Sequence, residues 1–270
     1  MNSLSNEALT MESDDSGVVE KKAFVSLAPL YDRLMQDVPY DEWVEYLNLL
    51  MQQRHFQPGR ALDLACGTGS MTIRLSRLGL EMTGVDIAED MVEQAKKKAE
   101  MNSLPITFYC QDAAELNIPG SAYDLCVSLF DSLNYILEPA RLNSAIRQVA
   151  AHLRKDGLFI FDLNTEYALS NLMFDQNNIG AESPLQYVWT SEYFPETRLC
   201  RIRMLFQFLQ DAADYPIEFE EIHWQYAYSE NEVRGMLTEN GFDSIAVYRA
   251  YTLRPPTPLS DRLYYIARKA

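Results

Sequence analysis

Two glycines, Gly67 and Gly69, close a short apolar run that carries Asp63 inside it and ends at Ala65. Glycine lets backbone approach a ligand closely. The first turn of the helical pattern that follows, over residues 71–78, offers unpaired N–H groups and a positive dipole end. An anionic group of a cofactor is expected there. Nicotinamide, flavin and S-adenosylmethionine enzymes all use such a turn, but the third glycine of the dinucleotide fingerprint is replaced by Thr72. A carboxylate at the mouth, Asp63, would repel a diphosphate and suits an amino group. An amino acid carries both charges, so the pattern favours the methionine end of S-adenosylmethionine over a dinucleotide.

Three further acidic positions fall at ends of predicted strands. Asp86 stands 19 residues after Gly67, the distance at which an acidic side chain takes ribose hydroxyls, or else it caps the next helix. Asp112, followed by Ala113, is placed to accept from an exocyclic amine of adenine while the Ala113 N–H donates to the ring; a plain loop aspartate is the alternative. Asp131, Asn134 and Tyr135 lie in a polar cluster directly after a buried strand, where a substrate would meet the sheet. His223, with an ordinary pKa near 6.5, is the candidate proton acceptor. It stands among Trp224 and Tyr226, so packing is its other reading. His55 and His152 sit at helix ends, where a dipole role suffices.

The elements that must position these groups alternate. Helical patterns over 23–35 and 40–54, the second capped by Asp41, precede strands at 61–65, 80–85, 106–110, 123–129 and 157–163. Helices at 71–78, 89–101 and 139–153 separate them. From about 165 to 228 the pattern changes to antiparallel alternation rich in Tyr, Phe and Trp, over 186–194, 199–210 and 217–228. Ser229 with Glu232 forms a capping box for a helix ended by Gly241, and strands at 242–250 and 262–268 complete seven in the core. The division expected is an acidic tail at 1–22, a core at 23–164, an antiparallel cap at 165–228 and the rest of the core at 229–270.

The 270 residues carry a formal charge of −16, which argues against a phosphate backbone as partner and favours small molecules. No apolar run reaches the length of a membrane span, and the polar start is unlike a secretory signal, so a cytoplasmic protein is expected. Cys66, Cys110, Cys126 and Cys200 lack metal-ligand spacing and read as buried reduced thiols; no metal site is expected.

With these residues in place the chain resembles class I S-adenosylmethionine-dependent methyltransferases, in particular bacterial small-molecule enzymes with an antiparallel cap. The marks are 62–69, Thr83-Gly84-Val85-Asp86-Ile87, Gln111-Asp112, Asp131-Ser132-Leu133-Asn134-Tyr135, and Tyr31-Asp32 ahead of Tyr40-Asp41-x-Trp43. The resemblance implies an α/β fold: a Rossmann-like seven-stranded sheet, its last strand antiparallel, helices on both faces and the cap inserted. It implies that the methionine carboxylate meets Gly67 to Gly69, with the amine near Asp63, the Ala65 carbonyl and Leu129. Asp86 would hold the ribose, Ile87 and Met91 would flank adenine, Asp112 and Ala113 would read its edge, and Tyr31 and Trp43 would close the site. In the cap, Phe219-Glu220-Glu221-Ile222-His223 follows a family run, but Tyr226 stands where relatives often have arginine.

The function expected is methyl transfer to an oxygen or nitrogen of a small molecule. Such a displacement needs positioning above all, and a base only where the nucleophile must lose a proton. The alternatives are a module that binds S-adenosylmethionine without turnover and a NAD-dependent oxidoreductase.

Overall fold

The computed structural model describes residues 28–120, 122–180, 183–208 and 217–270. The predicted tail at 1–22 and the start of the first helix lie outside them. Two helices, α1 (Ala28–Leu34) and α2 (Tyr40–Gln53), precede the repeating unit. Strand β1 (Arg60–Leu64) leads into α3 (Ser70–Arg77), β2 (Glu81–Asp86) into α4 (Glu89–Met101), and β3 (Thr107–Cys110) follows. Next come β4 (Tyr123–Ser128), α5 (Pro139–His152) and the long β5 (Leu153–Asn164). After the cap, α7 (Glu230–Glu239), β10 (Phe242–Arg249) and β11 (Arg262–Lys269) return to the sheet.

The seven strands lie in the order β10-β11-β5-β4-β1-β2-β3. β1 pairs in parallel with β2 and with β4, while β11 runs antiparallel to both β5 and β10. The chain therefore winds outward from β1 to β3 on one side and restarts at β4 on the other. Crevices in open α/β sheets form at the carboxyl ends of strands flanking such a reversal. Alternation along β1 builds the two layers. Leu62 and Leu64 pack with Ile146, Val149, Val233 and Leu237 of α5 and α7. Ala61 packs on the opposite side with Leu47, Leu50, Met71 and Leu75 of α2 and α3. Strands buried on both faces read as near-continuous apolar runs, which is why these were visible in the sequence.

The cap is a second sheet in the order β6-β7-β8-β9, from β6 (Gln176–Asn177), β7 (Leu185–Phe194), β8 (Leu199–Phe208) and β9 (Ile217–Tyr226). It is preceded by α6 (Glu166–Ser170). Its apolar face gathers Ile202, Met204 and Phe206, and Leu30, Tyr31 and Leu34 of α1 pack against them.

Several expectations need correction. Asp41 does not cap α2: Pro39 holds the cap position, and the Asp41 carboxylate pairs instead with Arg74 at 2.9 Å. β5 begins four residues before the expected Gly157, because Leu153 also pairs with Tyr123. The short α6 and β6 were not expected; each is too brief to leave a period. Cys110 is exposed and Cys66 half-buried, so only Cys126 and Cys200 are buried thiols. The Ser229–Glu232 capping box is present with both reciprocal bonds. Among the described residues no helix is long and apolar enough to cross a membrane.

Candidate active site

Where β1, β2 and β4 end, the chain turns sharply. Ala65 (φ 58°), Gly67 (φ 54°), Gly69 (φ 75°), Phe130 (φ 65°) and Asp131 (φ 50°) all take left-handed backbone there. Three of these five are non-glycine, and such conformations persist only where the surroundings over-determine them, typically at ligand sites. The two glycines differ in purpose. A Cβ on Gly67 would meet nothing within 4 Å, so its face is open, whereas one on Gly69 would press on Ala95 at 3.1 Å and Phe108 at 3.2 Å. Gly67 leaves room for a ligand, and Gly69 lets α3 sit close to α4.

A cavity of about 540 Å³ extends from this turn to the underside of the cap. Of the predicted site residues it brings together Tyr31, Trp43, Asp63, Ala65, Gly67, Asp86, Ile87, Met91, Leu129, Asp131, Tyr135 and His223. Gly69, Asp112, Ala113 and Asn134 are not brought to it. The Asp112 carboxylate caps the turn at Ala113–Glu115 by accepting from Ala114 N at 2.8 Å, and its other oxygen takes Arg141 at 2.5 Å. Asn134 is fully buried; its amide donates to the carbonyls of Asn164 (3.1 Å) and Tyr226 (3.0 Å) and accepts from Asn164 N at 2.9 Å. It ties core to cap and has no face left for a substrate.

The carboxylates near the turn are restrained from several sides. Asp63, 3 % exposed, accepts from the Thr72 hydroxyl at 2.5 Å. Burial, only partly offset by that bond, raises its pKa from 3.8 to about 7. Thr72, which replaces the third glycine, is thus the partner of the acidic residue in β1. Asp86 accepts from Gly67 N at 2.8 Å and from Ala88 N at 2.9 Å, and burial again raises its pKa. One side chain therefore fixes the glycine turn and the entry to α4 while also facing the cavity. Ile87 beside it is 69 % exposed, an apolar surface at the rim.

The front wall is pinned by Asp32, which the sequence marked only as a motif neighbour. It accepts from the Thr68 hydroxyl at 2.6 Å and meets Lys98 of α4 at 2.5 Å. This anchors α1 across the turn, and with it Tyr31. Trp43 of α2 closes the side wall, its ring centroid 5.2 Å from that of Phe130.

The cap end holds groups the sequence did not single out. Arg262 of β11 bridges Asp162 and Asp131, 2.6 Å to each. Burial opposes its charge, yet the two carboxylates hold its pKa above the ordinary arginine value. Gln225 donates to the second oxygen of Asp131 at 2.5 Å. His223 lies between Glu221 and Tyr135: its Nε2 is 2.9 Å from a Glu221 oxygen and its Nδ1 is 3.0 Å from the Tyr135 hydroxyl. Met173, Trp189, Ile202 and Met204 supply an apolar lining. The one available signal was that Glu221, His223 and Gln225 alternate on one strand, so three polar side chains share a face. Nothing in the sequence marked Arg262. Among the described residues no cluster could hold a metal ion.

Comparison with known proteins places this arrangement. Residues 61–157 match the family described as "Methyltransferase domain". A relative from Geobacillus sp. (strain WCH70), which carries a provisional methyltransferase name, is 31% identical over 248 residues, 91% of this chain and 99% of the relative. A solved S-adenosylmethionine-dependent methyltransferase from Clostridium acetobutylicum ATCC 824 superposes with a TM-score of 0.80 at 26% identity, covering 91% of this chain and 98% of that one. The sugar N-methyltransferase KedS8 from Streptoalloteichus sp ATCC 53650 shares the fold, with a TM-score of 0.75 at 17% identity, covering 96% and 99%.

Proposed function

Because this chain belongs to the S-adenosylmethionine-dependent methyltransferases, we propose that it moves the methyl group to an oxygen or nitrogen of a small molecule held under the antiparallel cap. The cofactor is S-adenosylmethionine, and the residues present fit it. Gly67 leaves open space at the turn, two carboxylates flank that space, and an apolar side chain, Ile87, stands at the rim. On this reading the methionine end is held by the Gly67 turn and Asp63, the ribose by Asp86, and adenine by Ile87 and Met91. Tyr31 and Trp43 close over it.

When bound, the cofactor supplies a methyl group on a positively charged sulfur that leaves as a neutral thioether, so no protein group need protonate the leaving atom. This chain's residues align the acceptor, exclude water and accept the acceptor's proton. Holding two partners in line is worth effective molarities of about 10⁵–10⁸ M. His223 is the proposed proton acceptor, and Tyr135 and Asp131 lie on the acceptor's side of the cavity.

The observation that carries the reading is that one cavity joins the glycine turn to the inner face of the cap, where His223 and Gln225 lie among Ile202 and Met204. A small molecule fits between them. The formal charge of −16 gives no attraction to nucleic acid. KedS8, which shares this fold, is a sugar N-methyltransferase, which supports a small acceptor under the cap.

Calorimetry with S-adenosylmethionine and S-adenosylhomocysteine, followed by labelled methyl transfer over small hydroxyl and amine compounds, tests the proposal. One-to-one binding with transfer to a small molecule is expected. Binding without transfer to any of them, or transfer only to RNA or protein, would overturn the small-molecule reading, and binding alone would favour a silent module.

A further inference from the structure

Glu221, His223 and Gln225 occupy alternate positions of β9 and are each 1 % exposed. Polar groups buried this deeply are bonded in nearly all proteins, and the order of the bonds fixes where hydrogens sit. A carboxylate only accepts, so the hydrogen between Glu221 and His223 belongs to Nε2. Nδ1 of the neutral ring is then an acceptor, and the Tyr135 hydroxyl donates to it across 3.0 Å. His223 and Tyr135 both line the cavity, but the imidazole and the Glu221 side chain have no solvent exposure, whereas Tyr135 is half-buried. The lone pair that would take a proton thus sits behind a phenol.

We propose that Tyr135 is the residue that contacts the acceptor's reacting group, that His223 receives the proton through it, and that Glu221 is the positioning residue that fixes the ring and stabilises its charged form. This rests on the small-molecule reading above and narrows it to an acceptor with a hydroxyl. One proton passes from the acceptor to the Tyr135 oxygen as the phenolic proton passes to Nδ1. The pair left on the acceptor oxygen makes the new bond to carbon, and the old carbon–sulfur pair stays on sulfur. Burial holds the Tyr135 pKa far above its ordinary value, so the phenol loses its proton only as another arrives. An ammonium acceptor finds less support, because both Asp131 oxygens are held by Arg262 and Gln225 and Glu221 is held by His223.

Beyond burial, Asp131 from the loop after β4 and Glu221 of β9 oppose loss of the Tyr135 proton, while the hydrogen bond from Gln225 and the charge of Arg262 of β11 favour it. The imidazole must be neutral to accept, so turnover falls on the acid side.

Nitrogen-15 NMR of histidine-labelled full-length protein reads the tautomer without any acceptor; the chain has three histidines, and His223→Asn assigns the signal. Expected is a protonated Nε2 with an unprotonated Nδ1, and a titration midpoint that moves to lower pH in Glu221→Gln. The opposite tautomer, or an unmoved midpoint in a natively folded variant, overturns the proposal. Tyr135→Phe covers the case in which Glu221→Gln does not fold. With a small hydroxyl acceptor, kcat should drop about 10²–10⁴-fold, the range for a lost acid–base step, while cofactor affinity stays within twofold. A kcat within twofold of wild type overturns the relay and leaves the function reading standing. Failure of small-molecule transfer, with the expected tautomer observed, strikes the function reading instead.

Discussion

Replacing Asp63 by asparagine tests how the floor of the cavity is charged. Its pKa rises from 3.8 to about 7, chiefly through burial. Three units correspond to about 4 kcal/mol, at 1.36 kcal/mol per unit. A raised folded-state pKa contributes stability that is fully present below the unfolded value and is lost as pH rises through the folded one, because the folded state binds the extra proton. The loss accrues between about pH 4 and pH 7. Most of that window is accessible: between pH 5 and pH 8 the wild type should lose roughly 2.5 kcal/mol that Asp63→Asn does not. Urea unfolding of both proteins across that range measures the difference directly. A difference that stays constant within about 0.5 kcal/mol would refute the buried-acid account. The same titration bears on the cofactor. If Asp63 meets the ammonium group, binding requires the ionised carboxylate, so affinity should rise roughly tenfold from pH 6 to pH 7.5, and calorimetry should show proton release at pH 6. In Asp63→Asn both effects should vanish.

Three other substitutions probe the frame. Gly84→Ala would put a Cβ 2.5 Å from the Phe108 ring and 3.0 Å from the Cys66 sulfur; overpacking of this kind should cost about 1–3 kcal/mol, partly recovered in a double variant with Phe108→Leu, as urea midpoints would report. Arg262→Met removes the cation from between Asp131 and Asp162 and should cost about 3–5 kcal/mol by chemical denaturation, since two buried carboxylates lose their shared partner. Asn134→Ala orphans Asn164 N and two carbonyls and should cost about 1–3 kcal/mol, with the KM for the acceptor unchanged in the folded fraction.

Much of the frame was legible because its causes are local. Strands buried on both faces must be apolar along their whole length, a tight turn at Gly67 and Gly69 needs left-handed backbone, and Ser229 with Glu232 satisfies helix N–H groups within four residues. The misplacements have equally plain causes. Asp41 had the right type and position for a cap, but an arginine 33 residues later in the chain took its carboxylate. Asp112 stands just past a strand end, and its carboxylate takes both Ala114 N and Arg141, a partner 29 residues on. Asn134 belonged to a motif of polar residues, yet a buried amide whose oxygen and nitrogen are both engaged serves the fold.

The sequence by itself determined the glycine turn, the acidic residues at the ends of β1 and β2, and the division into an alternating core and an antiparallel cap, since each depends on side-chain period and backbone sterics over a few residues. Tertiary structure alone decided which polar groups face the cavity and which are consumed by neighbours. Arg262 reaches Asp131 across 131 positions, and Tyr135 reaches His223 across 88. Hydrogen bonding is settled by whichever partner the packing brings within 3 Å, and no local pattern carries that information.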